Sequence, residues 1–280
     1  MLQQRKGPAF WLLTAFFALF VLFLYGPTIT IVILSFQGPS GGLTFPMRGV
    51  SVHWFGNLFE KQMVGDFAGS FQRSIVLGLV TMVVTVLVSF SAGLAFRKRF
   101  RGSSAVFYLA IASLIVPSIL ISLGIGLLFR VLGVDTAWYS SAFGAHLTWT
   151  LPFGLLIMFA VFNRFDRRYE EVARDLGATS WQTVKHVIVP IVLPSLIGVG
   201  LFGFTLSYDE FSRSLYTSGT FNTLPLEIYG MTTNVTTPVL YALGTVTTGL
   251  SFLVIALALV STIIVRRRRE RLGSDAGKAA

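Results

Sequence analysis

Two stretches of this 280-residue chain carry side chains whose types and spacing could do chemistry. In Tyr208-Asp209-Glu210-Phe211, two carboxylates stand between two aromatic rings. Carboxylate charge and ring faces together suit a cation. The alternative pairs Asp209 and Glu210 with Arg213, at i+4 and i+3, as an interfacial anchor. The second stretch, EEVARDLGATSWQTVKHVIVP over 170–190, is charged at its start, breaks at Gly177, restarts at Thr179 and reaches Pro190. Other chemistry is not expected. His53, His146 and His186 lie on separate segments without HExxH or other ligand spacing, so no metal site is expected. No cysteine is present, which removes disulfides and thiolate ligands. GxxxxGK[ST] does not occur, so the chain holds no ATP by a phosphate-binding loop.

The elements that must position these residues are membrane helices. Hydrophobic residues make up 54% of the chain, charged residues only 12%, and mean hydropathy is +0.73. Soluble domains carry about 25% charged residues. A helical span needs roughly 20 apolar residues to cross about 30 Å of hydrocarbon. Six runs qualify: about 10–36, 74–96, 102–129, 136–163, 187–208, and the second half of 228–265 from Tyr241. The alternating pattern of a membrane β-barrel is absent. The first run is too long for a signal-peptide apolar region and lacks a small-residue cleavage site, so it reads as a retained span. The expectation is an all-α integral membrane protein of six helices, one transmembrane domain over 1–280. Pro117 and Pro152 interrupt spans three and four and mark kinks. Ser89-x-x-x-Gly93 and Ser122-x-x-x-Gly126 permit close helix approach.

Charge sets the orientation. The net charge is +10, and 17 of the 22 Lys and Arg fall in alternate gaps. These are Arg5 and Lys6; Arg97, Lys98, Arg99 and Arg101; Arg164, Arg167, Arg168, Arg174 and Lys185; Arg266–Arg269, Arg271 and Lys278. By the positive-inside rule that side is cytoplasmic, with both termini inside. The Arg266–Arg269 run reads as an anchor on anionic lipid; aromatic interleaving is missing, so nucleic acid is not an expected partner. Residues 37–68, with Trp54, Phe55 and Phe59, form an extracytoplasmic loop of aromatic-belt character, and 216–240 form another.

On the basic side, residues 164–190 read as a helix–turn–helix. Arg167–Leu176 forms the first helix, with Arg167–Glu171 and Glu170–Arg174 at i,i+4. Gly177 takes the C′ position. Thr179 with Gln182 forms a capping box. Trp181, Val184, Val187 and Ile188 make an apolar stripe, and Pro190 ends or kinks the helix as span five begins. By residues alone this is either an amphipathic element lying on lipid or a docking projection.

The pattern E-x-A-x-x-x-G-(x9)-V-x-V-P resembles the EAA motif of binding-protein-dependent ABC importer permeases, carried here by Glu171, Ala173, Gly177 and Pro190. Val172, Val187 and Val189 depart from the usual Ala, Ile and Leu and stay apolar. FPMRGVSVHWFGNLF and LSYDEFSRSLYTSGTFNTLPLEIYGM are similar to the spermidine/putrescine subgroup. Arg73 stands where most relatives have Asn. The resemblance implies a type I importer permease fold with a MetI-like core over 67–265 and a cytoplasmic coupling loop at 164–190. It implies that Glu171, Ala173, Asp175, Gly177, Ala178 and Pro190 couple to the ATPase. The implied partners are two copies of a cytoplasmic ABC ATPase, a second related permease in a heterodimer, an extracytoplasmic binding protein and the lipid of a bacterial inner membrane. ATP and Mg are used by the ATPase, and no cofactor by this chain. The cargo implied is a polyamine, with Tyr208, Asp209, Glu210 and Phe211 on its path; another small solute, or a secondary carrier or channel, are the alternatives. The runs are nearly free of ionisable residues, which argues against ion coupling within the chain.

Overall fold

The computed structural model describes residues 7–58, 60, 65–98, 100–234 and 237–276. Arg5, Lys6, Phe59, Lys61, Arg99 and Lys278 lie outside the described residues. Among the described residues, ten helices follow in order: α1 Pro8–Leu34, α2 His53–Asn57, α3 Phe67–Phe96, α4 Ser103–Ala112, α5 Ser118–Val131, α6 Trp138–Asn163, α7 Arg168–Asp175, α8 Ser180–Tyr208, α9 Leu224–Asn234 and α10 Val239–Ala276. Among the described residues, five (α1, α3, α6, α8 and α10) are long and apolar enough to cross a membrane.

The third expected span is not one helix. It divides into α4 and α5, of 10 and 14 residues, with Pro117 as the residue before α5. Proline has no N–H to donate and disfavours helix at the preceding residue. Ser113 Oγ, at the break, lies 2.8 Å from the carbonyls of both Ala110 and Thr148. Pro152 acts differently: α6 runs on through it. The second span starts earlier than its charge-free run, at Phe67, because Asp66 caps it by accepting from Gly69 N at 3.3 Å.

The chain divides into two compact units: residues up to Gly65 with Gly230–Leu250, and Asp66–Tyr229 with the chain from Ser251 on. In the first, Gln37 is fully buried and shapes the following loop. Its Nε2 donates to Gly42 O at 3.1 Å, and its Oε1 accepts from Arg48 N at 2.7 Å. Tyr241 Oη donates to Leu43 O at 2.6 Å. Trp54 on α2 is buried, so it packs inside rather than serving as a belt residue.

In the second unit, α3, α6 and α8 pack on one another. The buried face of α3 carries the small residues Ser70, Ser74, Gly78, Thr81, Thr85, Ser89 and Gly93, spaced three or four apart, with Phe67 and Leu77 as its large members, while Val80, Val83 and Leu87 face outward. Lipid is as apolar as leucine, so small residues belong at the helix interface and large ones outside it. Thr85 Oγ1 donates to Thr150 Oγ1 at 2.8 Å across α3 and α6. A Cβ on Gly93 would sit 2.8 Å from the Phe162 ring. Met158, Phe162, Ile188, Val192, Leu196 and Val199 form the core between α6 and α8.

Candidate functional site

The α6–α8 hairpin has two ends, and each holds one of the sequence-picked stretches. At the basic end, α7 closes with two backbone hydrogen bonds: Gly177 N to Arg174 O at 2.8 Å and Ala178 N to Ala173 O at 3.0 Å. This is the Schellman pattern, and it needs a left-handed residue at C′. Gly177 supplies it with φ of +84°. The next helix opens at once with the expected capping box. Thr179 N donates to Gln182 Oε1 at 2.8 Å, and Gln182 N donates to Thr179 Oγ1 at 3.3 Å. Backbone groups at both helix ends are thereby satisfied within the loop.

Two local expectations change. First, α7 begins at Arg168, so Arg167 precedes it and forms no pair with Glu171 among the described residues; its guanidinium donates to Arg97 O at 3.2 Å. The expected Glu170–Arg174 pair does form, at 3.9 Å, and Glu170 also pairs with Arg97. Second, Pro190 neither ends nor breaks α8. The turn Val184–Ile188 just before it is wound wider, with π-type hydrogen bonds, and the helix continues to Tyr208. A wider turn re-registers the ladder around the missing proline N–H.

Glu171, Asp175, Gly177 and Pro190 are exposed, and Ala173 and Ala178 are half-buried. Of the apolar stripe, Ile188 is buried and Val184 and Val187 half-buried, but Trp181 points outward, 71% exposed. Tyr169, Val172 and Leu176 on the same loop are also exposed, Leu176 at 83%. Exposed apolar side chains on one short loop suit contact with a protein partner or with lipid.

At the other end, the segment after α8 turns back over the hairpin. Glu210 carries the Arg213 contact: its Oε1 accepts from Arg213 N at 2.9 Å, and its Oε2 lies 3.8 Å from the guanidinium. Arg213 is fully buried on the face of Trp149, 4.4 Å from the ring centre, with Nε donating to Thr148 Oγ1 at 3.2 Å. Asp209 is exposed and forms no ion pair with Arg213 among the described residues. Protein still crowds its carboxyl, and the lost hydration pushes its pKa upward. Tyr208 is buried and stacks on Phe204 at 5.7 Å, and Phe211 tilts against Tyr229 at 5.0 Å. The four residues do not converge on one point: Asp209 faces solvent while Glu210 faces Arg213.

Spacing did not reveal the partners of four residues that hold this end. His146 is buried, with Nδ1 2.7 Å from Ser207 Oγ and Nε2 2.9 Å from Ser214 Oγ. A neutral imidazole donates with one nitrogen and accepts with the other, so it satisfies both hydroxyls. Ser122 and Gly126 receive backbone rather than a helix: Ser122 Oγ accepts from Tyr216 N at 2.9 Å, and a Cβ on Gly126 would stand 2.6 Å from Tyr216 O. Arg73 staples the start of α3 to the 221–222 turn. It donates to Asn222 O at 2.8 Å, pairs with Asp66 at 3.1 Å and stacks over Phe221.

Comparison with known proteins agrees with this geometry. The family model for the binding-protein-dependent transport system inner membrane component matches residues 85–272. The spermidine/putrescine transport system permease protein PotC of Haemophilus influenzae is 30% identical over 92% of this chain and 98% of its own length. The putrescine transport system permease protein PotI of Escherichia coli K12 is 29% identical, covering 81% of this chain and 82% of its own. A solved bacterial ABC transporter involved in import of the acidic polysaccharide alginate superposes with a TM-score of 0.62 at 17% identity, covering 97% of this chain and 99% of that one. The chain therefore belongs to the binding-protein-dependent transport family as its inner membrane component, the multi-pass permease of an ABC importer.

Proposed function

We propose that this permease imports a polyamine, taking it from an extracytoplasmic binding protein and releasing it into the cytoplasm by alternating access. Residues 67–265 form the permease core, and six crossings, with α4 and α5 together as the third, leave both termini inside. Residues 164–190 form the coupling loop. The observation that carries the reading is the α7–Gly177–α8 knuckle, closed at both helix ends and bearing exposed Tyr169, Val172, Leu176 and Trp181. A lever must be stiff and must present a contact face, and this loop meets both requirements. Glu171, Ala173, Asp175, Gly177, Ala178 and Pro190 belong to that docking element. Two copies of a cytoplasmic ATPase supply ATP hydrolysis with Mg, and a second, related permease completes a heterodimer. Hydrolysis drives transport because the ATPase favours one permease state over the other.

The polyamine assignment rests on the relatives' names and on exposed Asp209 at the end of α8. Tyr208, Asp209, Glu210 and Phe211 lie on the path, with Asp209 the first contact. Leu176→Asp and Trp181→Asp are expected to abolish co-purification of the ATPase while the permease still reaches the membrane. Full co-purification of both variants would remove the docking face.

A further inference from the structure

Helix α7 has no buried residue, so no apolar core fixes it to the bundle. A cavity of about 530 Å³ separates it from Leu94 and Ala95 on α3 and from Thr183 and Val184 on α8. What bridges that gap is polar and centres on one residue. Arg97, at the end of α3, forms an ion pair with Glu170 of α7, and its carbonyl accepts from Arg167. The side chains of Arg97 and Glu170 are only 12% and 14% exposed. The guanidinium also lies 5.3 Å from the Phe162 ring and 5.1 Å from the Phe165 ring. Phe162 belongs to the α6–α8 core and abuts Gly93 of α3. A planar guanidinium can stack on rings and bond a carboxylate at the same time; an ammonium cannot match that.

We infer that the Arg97–Glu170 pair, seated on the Phe162 and Phe165 rings, is the joint that carries movement of α7 into α3 and α6. The inference rests on the coupling-loop reading above. Arg97 and Glu170 act as positioning residues: they touch neither solute nor nucleotide, and they set where the docking face stands relative to the helices it must move. Among the described residues, α7 otherwise meets the bundle through the chain flanking it, the Phe165–Tyr169 ring contact at 6.3 Å and its packing on Ser180–Ile188 at the start of α8.

The test uses the complete transporter in liposomes, with ATP hydrolysis measured with and without the binding protein. Because the chain has no cysteine, Ser180→Cys, exposed beside the contact face, gives a single cross-linking site for the ATPase in every variant. The readouts are the stimulated-to-basal hydrolysis ratio and the cross-link yield. Arg97→Met and Glu170→Gln are each expected to lower stimulation about 10-fold, the loss of one partly buried ion pair, with the cross-link unchanged. Arg97→Lys keeps the charge and is expected to lose about threefold. Full stimulation in either uncharged variant overturns the joint. So does a fall in stimulation that tracks loss of the cross-link, which would make the pair a support of loop shape alone. No cross-link in the otherwise unchanged protein removes the coupling loop itself, and the joint with it.

Discussion

Substituting Gly177 tests the lever through its backbone. Its φ of +84° lies in the left-handed region, and a Cβ there would meet nothing within 4 Å. Any cost to this chain is therefore conformational rather than steric. A left-handed L-residue costs roughly 1–2 kcal/mol, which reduces the population of the correct turn about 5- to 30-fold. Asn tolerates this region better than Ala, and a β-branched residue tolerates it worst. Uptake by proteoliposomes containing the full transporter should fall in the order Gly, Asn, Ala, Val. Membrane insertion, followed by immunoblot, should not change. Gly177→Asp should uncouple as well, since it adds a charge to the contact face. Equal uptake by Gly and Val variants would refute the backbone argument. Asn as poor as Val would point instead to a side-chain clash on the ATPase.

Asp209→Asn is expected to weaken uptake of a divalent or trivalent amine while sparing a neutral solute; an unchanged preference between the two would remove Asp209 from the path. His146→Leu takes the imidazole partner from Ser207 Oγ, at about 1–3 kcal/mol, while Ser214 Oγ keeps its bond to Glu210 O, and the variant should lower the melting temperature in detergent. An unaltered transition there would mean that Ser207 finds another partner. Gly93→Leu drives a side chain into the Phe162 ring and should destabilise the α3–α6 contact by about 1–3 kcal/mol, read by the same melt. Normal stability in that variant would contradict the close packing described.

Legibility in the sequence followed the reach of the interactions. The Gly177 turn and the Thr179–Gln182 box were readable because both are closed within six residues by backbone geometry. The long spans were readable because lipid demands uninterrupted apolar length. The α4–α5 break was half visible: Pro117 was evident, but its effect depends on Ser113 reaching Thr148, 35 residues away. Pro152 gave the same signal without a break, since neighbouring helices support it. The Glu210–Arg213 contact was legible as an i,i+3 pair, yet its full burial on Trp149 was not, because that ring comes from α6. His146 looked isolated in sequence because its partners lie 61 and 68 residues away. The Arg97–Glu170 contact was hidden for the same reason, while the nearer Arg167–Glu171 pairing suggested by spacing did not form.

The self-contained closure of the 170–190 loop bears on how the transporter is built. A segment that folds only on its partner gives up chain entropy at the moment of contact and binds more weakly for its area. Here the hydrogen bonds of the turn are complete before any partner arrives. Under the docking role proposed above, subunit recognition proceeds as rigid surfaces meeting, and a permease leaving biosynthesis already displays its finished contact face.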